Sequence, residues 1–67
     1  MSPAPDGRRE VLFEFRHAGN QIRVAAIDAT TGIEVVVIAP VHTSEAQMKS
    51  IALAKLRRRL EQEGDKV

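Results

Sequence analysis

From Glu10 onward, apolar and polar residues alternate with a period of two, Val11, Phe13 and Phe15 against Leu12, Glu14 and Arg16. Successive side chains of a strand point to opposite faces, so this is the pattern of a half-buried β-strand. Gly19-Asn20 follows. Gly at the first and Asn at the second central position suits a two-residue type II′ turn, whose twist matches that of antiparallel strands. Closing the chain there sets Ala18 opposite Gln21, Phe15 opposite Val24 and Phe13 opposite Ala26. A second strand is therefore expected over 21–28, with Ile22, Val24 and Ala26 on the core face. Asp28-Ala29-Thr30-Thr31-Gly32 reads as the next turn, because Asp can hydrogen-bond the backbone that follows it and Gly supplies a positive φ. A four-residue loop puts Ile33, Val35, Val37 and Ala39 of a third strand, Ile33 to Ala39, on the face of Phe13, Phe15 and Val24. A slip of one residue would bury Glu34.

Pro40 lacks an amide hydrogen and ends the ladder, and Val41-His42-Thr43 turns the chain toward a helix. Ser44 and Gln47 have the spacing of a capping box, which predicts a helix over 45–63. At 100° per residue Met48, Ala52, Leu56, Leu60, Leu53 and Ala46 share one arc of it, with Gln47, Ser50, Arg57, Arg58 and Glu61 opposite. Gly64 is expected just past its end in the left-handed conformation, and residues 65–67 as a frayed tail. Residues 1–9, with two prolines, a glycine and no apolar period, read as a disordered leader. The prediction is one α+β domain over 10–64: a three-stranded antiparallel meander with one C-terminal amphipathic helix across one face, β-β-β-α.

A second face of that sheet remains. It carries Leu12, Glu14 and Arg16, then Arg23, Ala25 and Ile27, then Glu34, Val36 and Ile38, and half of it is apolar. One helix cannot cover both sides, and antiparallel sheets that leave a side to water normally show polar residues there. Arginine stems lying over the apolar positions are one way to tolerate such a face. The favoured expectation is a homodimer that uses this face, through Leu12, Ala25, Ile27, Val36 and Ile38, or the edge of the third strand, Val35 to Ile38, which is apolar on both sides; an unidentified protein partner is the other candidate to cover it.

Size points the same way. A chain of 67 residues is near the lower limit for folding alone, and such chains usually need a disulfide, a metal or a partner subunit. Cysteine is absent and the only imidazoles are His17 and His42, which leaves a structural zinc site without its four N/S ligands, so self-association or an unusually well-packed core remains. A reducing compartment fits the missing cysteines. No apolar run is long enough to span a bilayer and the start of the chain has no signal-peptide core, so a cytoplasmic location is the default expectation.

The residues that could do chemistry are scattered. Ser44, His42 and Asp28 can be written down as a triad, but Ser44 already has a capping role and no pattern supplies an oxyanion hole. There is no Gly-rich phosphate loop and no metal-spaced pair. Neither an enzymatic activity nor a cofactor is expected. The alternative to an interaction module is a nucleic-acid-binding accessory protein that uses Arg16 and Arg23, facing each other across the first hairpin, and Lys55, Arg57, Arg58 and Arg59 on the helix. Against it stand a net charge of +1, glutamates Glu61 and Glu63 one turn from Arg57 and Arg59, and aromatics placed on the core face.

Glu10-Val11-Leu12-Phe13-Glu14-Phe15, Gly19-Asn20, Ala26-Ile27-Asp28, Thr31-Gly32 with Glu34-Val35, and the stretch from Ala52 to Leu60 together resemble a family of short alphaproteobacterial proteins catalogued as a domain of unknown function. The resemblance spans nearly all of residues 10–63 and implies the β-β-β-α pattern and a bacterial, cytoplasmic protein, with no substrate, cofactor or catalytic residue attached. The order strand-strand-strand-helix also resembles the later part of a double-stranded-RNA-binding domain. However, Glu45-Ala46-Gln47-Met48-Lys49 lacks the lysine cluster that grips phosphates in that family.

Overall fold

A computed structural model describes residues 10–64; the expected leader, 1–9, and tail, 65–67, lie outside the described residues. Three strands, β1 (Val11–Ala18), β2 (Gln21–Asp28) and β3 (Glu34–Pro40), precede one helix, α1 (Glu45–Gly64). The strands form an antiparallel sheet in the order β1-β2-β3, so the fold is the expected α+β meander with a C-terminal helix.

Both turns set the register that the side-chain pattern demands. Ala18 pairs with Gln21, Phe15 with Val24 and Phe13 with Ala26, and across the second hairpin Val24 meets Val37 and Ala26 meets Val35. Gly19 has φ 63°, while no non-glycine residue among those described has a positive φ. That combination belongs to a type II′ turn, since type I′ would need a positive φ at Asn20 as well. In the second loop the Asp28 N–H donates to the Ile33 carbonyl at 2.8 Å, enclosing four residues, and Gly32 has φ 79°. The Asp28 carboxylate organises this loop by accepting bonds from the Thr31 N–H at 2.9 Å and the Thr31 hydroxyl at 2.8 Å.

The helix starts where Ser44 Oγ accepts the Gln47 N–H at 3.1 Å, the bond expected of an N-cap. Its buried side chains, Met48, Ala52 and Leu56, pack with Val24, Ala26, Val35 and Ala39 into the core. Leu53 and Leu60 are half-buried at the margin, and Ala46, expected in the same arc, is exposed. One expectation about the helix end is corrected: Gly64 is the last residue of α1 and not a cap beyond it. The last turn also contains no basic residue. Arg57, Arg58 and Arg59 lie too far inside the helix to meet its negative end, because that field fades within the last turn.

The helix rests on β2 and β3, where Ala26, Ala39 and Ala52 present only methyl groups and let the two layers approach. It therefore leaves β1 partly uncovered. Phe13 is half-buried beneath Lys49, whose ammonium lies 5.6 Å from the ring centre. Phe15 keeps 40% of its surface exposed, which corrects the expectation that both aromatics are enclosed in the core. Periodicity assigns a residue to a face, but it does not say how far across that face a single helix will reach.

Candidate interaction surfaces

Backbone bonding decides which groups face the free edges. The Ala29 N–H donates to the Glu10 carbonyl at 3.0 Å, so Glu10 belongs to the set of β1 residues that bond β2. In an antiparallel ladder such residues alternate. Leu12, Glu14, Arg16 and Ala18 continue that set, and Val11, Phe13, Phe15 and His17 turn their amides and carbonyls outward. On β3 the bonded set runs from Ile33 through Val35, Val37 and Ala39, leaving Val36 and Ile38 directed outward.

The two edges are unlike. At β3 the Lys55 ammonium crosses from the helix and donates to the outward carbonyl of Val36 at 2.7 Å, and the strand ends in Pro40, which offers no N–H. A bound carbonyl, a lysine and a proline all discourage another strand from pairing there. This disfavours the β3 edge as an assembly surface. The β1 edge runs for eight residues without proline.

On the outer face of the sheet the register produces three rows across the strands: Arg16, Arg23 and Ile38; Glu14, Ala25 and Val36; Leu12, Ile27 and Glu34. Leu12 and Ile38 stand at opposite corners with 49% and 56% of their surface exposed, and Ile27 and Val36 are half-buried between them. Ala25 is 2% exposed. Its neighbours Glu14, Arg16 and Arg23 wall a shallow hollow above it, so an alanine at the centre of this face has little surface left for a partner.

Arg16 does face Arg23, yet the six cations considered for nucleic acid do not form one surface. Arg16 and Arg23 are on the outer face, whereas the helix lies against the other side of the sheet. Lys55, Arg58 and Arg59 gather with Val35 and Gln62 around a hollow beside β3. Arg57 is two positions from Lys55, about 200° round the helix. Arg59 is also paired with Glu63 at 3.2 Å.

The paper triad is dispersed. Asp28 ends β2, and the Val41 N–H binds the Asn20 carbonyl at that strand's other end, so His42 and Ser44 follow from there, some 20 Å from Asp28 at the strand's rise per residue. Among the described residues no three His, Cys, Asp or Glu side chains are grouped to hold a metal ion, and no helix is long and apolar enough to cross a membrane.

Residues 8–63 match the model of a family described as Domain of unknown function (DUF6898). No curated protein and no solved structure matches the chain.

Proposed function

We propose that this chain, which belongs to the family of unknown function matched over residues 8–63, is a self-associating interaction module with no catalytic machinery. The observation that carries the reading is the outer sheet face, where Leu12 and Ile38 are about half exposed and Ile27 and Val36 continue the apolar surface between them. Among the described residues the core cluster has seven buried apolar side chains, three of them alanines, which is small, and a second copy laid on this face adds the burial that a short chain lacks. Leu12, Ile27, Val36 and Ile38 form the contact, and Ala25 serves as its floor.

Sedimentation of the unchanged protein tests this. Association should be evident at tens of micromolar, where a contact of about −8 kcal/mol is already populated. Ile38→Lys should lower the solution mass while circular dichroism stays the same. A monomer at that concentration sinks the reading.

A further inference from the structure

We infer that two copies join through their β1 edges, antiparallel about a two-fold axis at Phe15, making one six-stranded sheet. The inference rests on the self-association proposed above and adds a second, independent contact to it.

Two observations lead to the β1 edge. It is the open one, since Lys55 and Pro40 close the edge at β3. Its outward-facing residues include Phe15, 40% exposed because α1 sits over β2 and β3. Pairing β1 with a second β1 places Phe13 and Phe15 of both copies together over the two strands that the helices leave partly uncovered, and aromatic pairs across strands are favourable. The edge thus supplies backbone bonds and an apolar patch at the same place.

Charge selects the register. With Phe15 opposite itself, Glu14 of each copy lies opposite Arg16 of the other, on the outer face, and Phe13 lies opposite His17. Arg16 already faces Arg23 within its own chain, so a carboxylate on its other flank relieves a like-charge pair. The neighbouring registers that keep outward residues in bonded pairs put Glu14 opposite Glu14 or Arg16 opposite Arg16. Both are repulsive. The outward set includes Phe15, so the favoured register is also one in which the two strands exchange hydrogen bonds.

The outer face remains available in this arrangement. Edge pairing and face pairing are both two-fold contacts, and when their axes cross at right angles they close four copies, a common symmetry for soluble assemblies.

Sedimentation of the full chain and of charge variants reads this directly. Glu14→Arg alone and Arg16→Glu alone should each weaken edge association by about tenfold or more, and the double exchange should restore it. His17→Pro should abolish it with unchanged circular dichroism, because the His17 N–H points outward and proline is tolerated on such an edge. Phe15→Cys should form an intermolecular disulfide on mild oxidation where Leu12→Cys does not, in a chain with no other cysteine; that measurement stands even if a charge variant folds poorly. Ile38→Lys should leave a two-copy species. If Ile38→Lys instead yields monomers, and the single charge variants match the unchanged protein, the face contact survives and the edge pairing is overturned. A monomeric unchanged protein removes both.

Discussion

The carboxylate of Asp28 holds the β2–β3 loop by accepting two hydrogen bonds from one residue, Thr31, through its N–H and its hydroxyl. Asp28 is fully buried, and its own backbone also takes part, with its N–H bonded to Ile33 and its carbonyl receiving the Gly32 N–H at 2.7 Å. Asp28→Ala should therefore cost about 2–3 kcal/mol, the scale for losing bonds to a charged acceptor, and Asp28→Asn less. Urea unfolding measures both, and equal stability of Asp28→Ala and the unchanged protein would contradict this account of the loop.

Gly19 tests the first turn by backbone alone. A Cβ built there meets no atom within 4 Å, so any penalty for Gly19→Ala comes from its φ of 63°. The positive-φ backbone at the first central position of a type II′ turn costs an L-residue about 1–3 kcal/mol. The expected result is a lower unfolding midpoint with an unchanged slope in urea.

Ser44→Ala removes the acceptor for the Gln47 N–H and should cost about 1 kcal/mol. Ser44→Asp should retain most of the stability, since Asp accepts the same bond. Thermal melts followed by helix signal separate the two.

Lys55→Met should lower stability by roughly 0.5–1.5 kcal/mol, the range for one ordinary bond, and leave the Val36 carbonyl open to a foreign strand. Its clearest effect should be faster light scattering on heating at high protein concentration. No change in aggregation rate would show that Lys55 does not guard this edge.

Duplex DNA or RNA should not be bound with micromolar affinity at physiological salt, because the cations are divided between the outer face and the helix. Weak binding in dilute buffer should fall steeply as salt rises. Micromolar affinity that is lost in Arg57→Gln/Arg58→Gln, with the circular dichroism intact, would make a nucleic acid the better reading of the partner.

Much of the fold was legible from alternation and turn chemistry. Gly19-Asn20 and the Asp28-to-Gly32 loop set both hairpin registers, and together with the period-two faces they placed Phe15 against Val24 and Val24 against Val37. What the pattern lacked was lateral position. Nothing in the spacing of Met48, Ala52 and Leu56 says that the helix settles over β2 and β3, so the exposure of Phe15 and the reach of Lys55 to Val36 were not foreseen. The burial of Ala25, read as part of the contact face, was missed for a related reason: its smallness let Glu14, Arg16 and Arg23 enclose it, which a face assignment alone does not show. Gly64 reads as a terminator by residue type, but the helix includes it.

The bond between Lys55 and Val36 also bounds the stoichiometry of any sheet this chain builds. A layer with two receptive margins can add copies without limit and becomes a fibre. In the pairing inferred above β1 is the receptive margin and Lys55 and Pro40 obstruct the other, so a second copy joined at β1 would bring its own obstruction to the far side. In that arrangement growth in the plane of the sheet would stop at two, with the lysine that reaches from the helix to β3 marking the limit.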